Sequence, residues 1–241
     1  MPSLAGLRLF FDEAAKLRRH SQGGPSAWAL LRFFPAWQRA QRPQASPLAD
    51  RQPWITFPAI AFLRRRLTPQ MVVFEYGSGG STLFFAQRAG EIVSTEHDPA
   101  WAAKVRETLA QRGVRNIRLE LVEPEPALAG LVDDPADPAL CLSSAECYRG
   151  KSFRNYVSRI DSWPDSYFDF ILVDGRARPS CITRAAPKLR RGGWLLLDNT
   201  EREHYHRAAA ALRPPAWRKR DFSGPGPYLN FFWRTWAWHR L

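Results

Sequence analysis

Short apolar runs alternate with amphipathic segments through the middle of the chain. The runs are five to seven residues long, and the first ends at a glycine-rich turn, which is typical of a buried parallel strand. They span residues 71–75, 91–95, 117–122, 168–173 and 193–199. Helical patterns between them cover residues 81–89, 99–112 and 178–190. This order predicts an α/β fold with a doubly wound, mainly parallel sheet and right-handed crossovers.

The C-terminal part of the chain has a different pattern. Residues 217–222 and 228–238 are both strand-like, and only residues 223–227 lie between them. A connection this short cannot hold a crossover helix, so the two strands must run antiparallel. The sequence therefore predicts a parallel sheet that is completed by an antiparallel C-terminal hairpin.

Two segments extend this predicted core. Residues 123–167 are longer than a crossover needs, and their proline- and acid-rich beginning is followed by helical spacing over 152–163. The N-terminal part has amphipathic patterns at 4–19 and 26–39, and its proline-dense stretch, 35–58, predicts a linker or extended arm. We predict a basic N-terminal helical extension over residues 1–68 and a core over 69–241 with an insert at 123–167.

The positive charge of this basic protein is concentrated in its flanks. The formal net charge of +12 divides into +8 over residues 1–69, −1 over 70–200 and +5 over 201–241. Seven of the ten tryptophans also lie in the two flanks. Basic residues interleaved with aromatic ones suit a cap over an active site, a peripheral membrane contact or, as a weaker alternative, nucleic acid. The charge therefore says little about the chemistry of the core.

Composition excludes two classes of protein and indicates a compartment. Ten Trp and fifteen Phe are too many for a chain that is disordered throughout, and no window of about 18 apolar residues exists to suggest a polytopic membrane protein. The three cysteines form no C-x-x-C motif, which favours reduced thiols. With no secretory leader pattern at the N-terminus, we expect a cytoplasmic protein, with membrane association as the alternative.

The turn after the first predicted strand is rich in glycine and carries an acid. Its sequence, residues 75–82, is Glu-Tyr-Gly-Ser-Gly-Gly-Ser-Thr. A dinucleotide-binding motif would need a third glycine where Thr82 stands, and a carboxylate at Glu75 would repel a pyrophosphate. A P-loop is excluded because no Gly-Lys-Ser/Thr follows. Glu75 suits a ligand with a cationic amino group instead.

The pattern Glu-x-Gly-x-Gly-x-Ser resembles the first motif of the class I S-adenosylmethionine-dependent methyltransferases. That family implies a Rossmann-like, seven-stranded sheet whose last strand is inserted antiparallel, in agreement with the predicted hairpin. It implies S-adenosylmethionine as the cofactor, with its methionine part on the glycine-rich loop and its ammonium group near Glu75. The cofactor-binding residues implied in this motif are Glu75, Tyr76, Gly77, Ser78, Gly79, Ser81 and Thr82.

Three residues after the next two strands extend the predicted cofactor site. Glu96 closes the second strand about 20 residues beyond the loop, where a carboxylate can accept hydrogen bonds from both ribose hydroxyls, and the family carries its ribose acid there. His97 either lines the cofactor pocket or packs at the strand end. Glu123, after the third strand, is a candidate near the adenine, and Asp98 is more simply the N-cap of the following helix.

The fourth and fifth strands end in oxygen-bearing side chains. Asp174 follows the fourth strand, and Asp198 and Asn199 end the fifth. Oxygen clusters suit Mg²⁺, and the resemblance to metal-dependent O-methyltransferases implies these three residues as its ligands. The alternative is that they cap the following helices. Asp174 is also the candidate catalytic residue, as a base or as a metal ligand.

The sequence around these strand ends also indicates the acceptor. The motifs for methylating amino groups and the C5 atom of bases are missing after the fourth strand, which favours an oxygen acceptor on a small molecule or glycoconjugate. Arg176 and Arg178 follow Asp174, and a guanidinium there would pair with Asp174 or bind an anionic acceptor. The substrate candidates are Arg176, Tyr148, Tyr156 and Asn199. An NAD-dependent oxidoreductase, a non-catalytic nucleic-acid- or membrane-binding module and an RNA methyltransferase stay as alternatives; the sequence leaves the oligomeric state open.

Overall fold

A seven-stranded sheet forms the centre of the protein in a computed structural model that describes residues 4–20 and 24–241. Its strands are β1 (Val72–Tyr76), β2 (Glu91–Glu96), β3 (Ile117–Leu121), β4 (Phe168–Val173), β5 (Leu189–Asp198), β6 (Trp217–Gly224) and β7 (Trp233–Arg240). Their spatial order is β3-β2-β1-β4-β5-β7-β6, and β7 runs antiparallel to both neighbours. The predicted parallel sheet with an antiparallel C-terminal hairpin is confirmed. Its strand order reverses between β1 and β4, where such sheets bind ligands.

Helices cover both faces of this sheet. In the described part of the chain they are α1 (Leu4–His20), α2 (Ala27–Leu31), α3 (Phe34–Arg39), α4 (Pro47–Asp50), α5 (Phe57–Arg66), α6 (Gly80–Ala86), α7 (Pro99–Gln111), α8 (Arg154–Ser158), α9 (Arg178–Lys188) and α10 (His206–Ala209). Asp98 caps α7 as predicted, because its side chain accepts a hydrogen bond of 2.9 Å from the Trp101 N–H. None of these helices is long and apolar enough to span a bilayer.

The N-terminal helices α1–α5 complete the hydrophobic core on one face of the sheet. Phe10 and Trp37 from these helices pack in one cluster with Phe170 of β4 and Leu196 of β5. The prediction of a single helix over 26–39 is wrong, since Pro35 lies in the first turn of a second helix, α3, where its missing N–H costs nothing. The expected linker over 35–58 is also wrong, because it contains helix α4 and part of α3 and α5.

The opposite face of the sheet is covered by α9 and by the insert. The insert contains a two-stranded ribbon, Glu125–Pro126 with Lys151–Ser152, followed by α8. Its Phe153, Tyr156 and Ile160 are completely buried with α9 and the sheet. The helical spacing predicted over 152–163 is therefore present as α8 and a 3₁₀ turn at Arg159–Ser162. The N-terminal extension and the insert cover opposite faces of the sheet. The candidate residues lie at the carboxyl ends of its strands.

Most of the tryptophans in the basic flanks belong to the core. Trp37, Trp217, Trp233, Trp236 and Trp238 are buried. Trp28 and Trp54 are the exposed ones of the seven, at 76% and 44%. The contact of the flanks with a membrane or nucleic acid stays a prediction, for which these two side chains offer little aromatic surface.

Candidate functional site

The glycine-rich loop after β1 has a shape that only glycine allows. Gly77 has φ of +91°, and a Cβ atom there would lie 3.0 Å from the Cα of Gly175 after β4. Gly79 has φ of +154°, and its Cα faces the ring of Trp101. The indole N–H of Trp101 donates to the carbonyl of Ser78 over 2.8 Å. The loop is thus held between α7 and the end of β4.

The buried carboxyl group of Glu75 holds the glycine-rich loop through Thr82. Thr82 Oγ1 accepts a hydrogen bond of 2.9 Å from the Gly79 N–H and donates one to Glu75 Oε1. Glu75 is completely buried, and this burial raises its pKa to about 7. Its second oxygen, Oε2, is buried without a hydrogen-bond partner among the described residues. Glu75 therefore positions the loop and keeps one acceptor oxygen for an ammonium group or a water.

Glu96 at the end of β2 is a charged acid in contact with the same loop. It accepts hydrogen bonds from the N–H and hydroxyl of Ser78, both at 2.8 Å, and from the N–H groups of His97 and Asp98, at 2.7 and 3.0 Å. Burial opposes its charge, but the His97 side chain, whose Nδ1 lies 2.8 Å from Oε1, and the N–H groups of Asp98 and Ser78 prevail and lower its pKa to about 2. Glu96 is 2% exposed, and these bonds fill the roughly four acceptor positions of a carboxylate, so a ligand hydroxyl could bind it only by displacing one of them.

His97 brings three of the predicted residues together. Its ring lies 5.3 Å from the ring of Tyr148 and 6.0 Å from that of Tyr156. Arg176 donates from Nε to His97 Nε2 over 3.4 Å and lies over the ring of Tyr148. The insert supplies Tyr148 and Tyr156, so it reaches the carboxyl edge of the sheet. We define these four residues as the His97 cluster.

Other predicted cofactor and substrate residues have different positions. Tyr76 is completely buried, and its hydroxyl donates to the carbonyl of Val157 over 2.7 Å, so its side chain belongs to the core. Tyr156 is also completely buried: its hydroxyl would lie 2.0 Å from a Cβ atom on Gly175. Both tyrosines were predicted to contact ligands, yet neither side chain is exposed to one. Glu123 is exposed beyond the end of β3.

Arg178 occupies the space between the ends of β4 and β5. Its guanidinium lies 2.9 Å from Asp174 Oδ1 and donates to the carbonyls of Asp174, Gly175 and Asp198, at 2.9, 3.0 and 2.7 Å. It also donates to Asn199 Oδ1 over 3.2 Å. These five contacts use all five N–H groups of the Arg178 guanidinium. The interpretation that an arginine here pairs with Asp174 therefore holds for Arg178.

These contacts do not fit the predicted metal site. Asp198 is 1% exposed, and its carboxylate accepts hydrogen bonds from Trp233 Nε1 at 3.0 Å and Thr235 Oγ1 at 2.5 Å. Asp174 and Asn199 bind Arg178, so a guanidinium already neutralises the oxygens proposed for Mg²⁺. Among the described residues, no three His, Cys, Asp or Glu side chains converge on a common point. The Mg²⁺ prediction is corrected accordingly.

Asp174 is the one acid of this group that is partly accessible. Its side chain is 20% exposed, beside the Arg178 guanidinium. Burial raises its pKa to about 6, although Arg178, Arg202 and Arg176 act in the opposite direction. A carboxyl group with this pKa is ionised at pH 7 and can accept a proton.

A cavity of about 260 Å³ opens at Gly175, the residue after Asp174. Arg202, His204 and Tyr205 line one side of it, and sequence analysis missed all three. They belong to a turn after β5 that was interpreted as a helix capped by Asp198 and Asn199. The backbone of Asn199 is instead left-handed, at φ of +55°, and the turn that follows is a 3₁₀ helix, Glu203–Tyr205. Nothing in the linear spacing of these residues signals that the turn reaches the end of β4.

Comparison with known proteins supports the fold. No protein-family model matches the chain, and no curated protein does either. A protein of Klebsiella pneumoniae assigned as an O-methyltransferase has a TM-score of 0.55 at 17% identity, over 97% of this chain and 98% of that one. An rRNA methylase of Streptococcus thermophilus has a TM-score of 0.54 at 14% identity, over 78% of this chain and 98% of that one.

A third similar structure holds a ligand. It is a protein of Streptococcus mutans assigned as a methyltransferase and determined in complex with S-adenosylhomocysteine, with a TM-score of 0.52 at 12% identity. The match covers 75% of this chain and 94% of that one. The strand order, the antiparallel hairpin and these neighbours agree with one another. The chain therefore has the fold of the class I S-adenosylmethionine-dependent methyltransferases, as its motifs imply.

Proposed function

We propose that the chain is an S-adenosylmethionine-dependent methyltransferase that acts on an oxygen atom of a small molecule or glycoconjugate. One observation carries the proposal: the ionised Glu96 is hydrogen-bonded to the glycine-rich loop, beside the point where the strand order of the sheet reverses. The ribose acid and the methionine loop of such an enzyme must be neighbours, because one cofactor molecule contacts both. A dinucleotide would need a third glycine where Thr82 lies buried.

The described residues fit this cofactor. The glycine at position 77 lets the loop pack within van der Waals contact of Gly175 after β4, and the buried Oε2 of Glu75 lies below the loop without a hydrogen-bond partner among the described residues. We assign the loop Gly77–Ser78–Gly79 to the methionine part and Glu96 to the ribose. We assign His97, which is beside Glu96, and Glu123 to the region around the adenine.

Transfer needs alignment of two reactants and removal of one proton. The cofactor supplies a methyl group on a sulfonium; its C–S bond breaks as the new C–O bond forms, and the acceptor hydroxyl loses its proton. We assign Asp174 as the base that takes this proton, because it is partly accessible and has a pKa of about 6. The reaction uses no metal at this site, since Arg178 occupies the predicted ligands.

Ligand-induced stabilisation tests the cofactor assignment. S-adenosylhomocysteine at 100 times its Kd stabilises a folded protein by about 2.7 kcal/mol, which raises the Tm of a chain of this size by roughly 5–10 °C. We expect this shift in the natural protein and its loss in Glu96→Ala. Glu91→Ala is the matched control, because Glu91 is exposed at the other end of β2. A natural protein with no shift at millimolar ligand would contradict the proposed function.

A further inference from the structure

The cavity beside Gly175 is lined by basic side chains from two separate segments. Arg176 follows β4, whereas Arg202 and His204 lie in the turn after β5. No Asp or Glu of the described chain is among the residues that line it. Converging arginines without a carboxylate in the wall create a positive potential, which attracts an anion.

Two of the arginines retain unused donors. Arg178 also lines the cavity, but all of its N–H groups bind the ends of β4 and β5. Arg176 makes one hydrogen bond, from Nε to His97, and Arg202 makes one, from Nη1 to the Tyr205 hydroxyl at 3.2 Å. Within the described part of the chain, neither has a carboxylate within 4.0 Å.

Aromatic rings hold these two guanidinium groups in place, and the acid on which they act electrostatically, Asp174, is paired with Arg178. Arg176 lies 5.2 Å from the ring centre of Tyr148, and Arg202 lies 6.0 Å from that of Tyr205. His204 adds a polar atom, since its Nε2 is buried with no hydrogen-bond partner among the described residues. Burial and the neighbouring Arg202 lower the pKa of His204, so its ring is neutral and adds a hydrogen-bonding group rather than a charge.

The cavity adjoins the place that the proposed function gives to the methionine part of the cofactor. Gly175 is in its wall, and a Cβ atom on Gly77 would lie 3.0 Å from Gly175 Cα. Asp174 immediately precedes Gly175. A volume of about 260 Å³ is below the usual range for drug-sized ligands and suits one end of a small molecule.

We propose that this cavity binds an oxyanion of the methyl acceptor, a carboxylate or a phosphate, between Arg176 and Arg202. The inference rests on the proposed function, because it is the acceptor that the oxyanion belongs to. Arg178 forms the wall and holds Asp174, whereas Arg176 and Arg202 bind the acceptor directly. Guanidinium groups bind both carboxylate and phosphate with paired N–H donors, so the shared chemistry is a planar or tetrahedral oxyanion.

Oxyanion binding to the cofactor-free protein tests this proposal. Inorganic phosphate and benzoate are titrated separately by calorimetry, with sodium chloride keeping the ionic strength constant. We expect saturable binding of at least one of them to the natural protein, and at least about tenfold weaker binding to Arg176→Gln and to Arg202→Gln. Saturation by phosphate alone assigns a phosphoryl acceptor, and saturation by benzoate alone assigns a carboxylate.

Arg191→Gln is the matched control. Arg191 is exposed near the start of β5, about 20 Å from the strand end that borders the cavity. Failure of both ions to saturate the natural protein, or equal weakening by Arg191→Gln, overturns the proposal. S-adenosylhomocysteine binding is measured in the same variants. Cofactor binding without oxyanion binding refutes only the acceptor class, whereas oxyanion binding without cofactor binding refutes the proposed function.

Discussion

Replacement of Arg178 by methionine tests whether this guanidinium takes the place predicted for a metal ion. The substitution keeps an unbranched side chain in the wall of the cavity and removes every donor to the ends of β4 and β5. It leaves the Asp174 carboxylate and the carbonyls of Gly175 and Asp198 without their partner. Helix α9 begins at Arg178, so the loss acts on the first turn of that helix.

The expected loss of stability depends on pH. Removing one partner of a buried ion pair costs about 3–5 kcal/mol, and the lower end applies because the Asp174 side chain is 20% exposed. We therefore expect Arg178→Met to lower the free energy of unfolding by about 3 kcal/mol at pH 8, where Asp174 is charged. At pH 5, below its pKa of about 6, Asp174 is largely protonated, so the cost of leaving its charge unpaired disappears and the loss of stability is smaller.

Urea unfolding followed by tryptophan fluorescence at pH 5 and pH 8 measures both values. Arg184→Met is the control on the same helix: Arg184 is exposed and forms a surface ion pair with Asp161 at 3.3 Å, so its loss should stay below about 1 kcal/mol. A loss below 1 kcal/mol for Arg178→Met at pH 8, or the same loss at both pH values, would refute the assigned role of Arg178.

Two further predictions concern the acids near the proposed cofactor and acceptor. The pKa of Glu75 is 4.5 in the unfolded chain and about 7 when buried, so the free energy of unfolding falls by up to about 3 kcal/mol as the pH rises between these values. Glu75→Gln should abolish this fall in urea titrations. An unchanged pH profile in the variant contradicts the prediction. Asp174→Asn should lower kcat by about 10²–10⁴ and remove a rise of activity with pH near 6, measured with any acceptor that the protein methylates. Retained activity with an unchanged pH profile rules out Asp174 as the base.

The sequence predicts the sheet well because its strands are apolar on both faces and end at distinctive turns. The predicted strand over 168–173 coincides with β4, and Glu96 closes β2 beside the glycine-rich loop as expected. Local chemistry also identifies the N-cap of α7 at Asp98, since a short acceptor before proline is a strong helix start. These features are determined by residues that are close to one another in sequence.

The features that sequence analysis predicted wrongly depend on which distant side chain fills a space. Asp198 follows a strand as a metal ligand would, yet Trp233 and Thr235 of β7 bind its carboxylate in the core. Tyr156 shares the helical spacing of Phe153 and Ile160, which is that of a buried stripe, and the sheet and α9 enclose it together with them. The partners of Asp198 are distant in sequence, so no local pattern indicates them.

The hydrogen bonds of Thr56 have a consequence for how the protein folds. Its hydroxyl donates to the Phe222 carbonyl over 2.6 Å, and its N–H donates to Thr235 Oγ1 over 3.2 Å, across 166 and 179 residues of sequence. Thr235 in turn donates to Asp198. Contacts between residues this far apart in sequence form late, because a long loop must close before they can contribute. The N-terminal helices therefore reach their final positions only after the C-terminal hairpin has formed, and a chain interrupted before β7 leaves Asp198 at the end of β5 without Trp233 and Thr235 during synthesis.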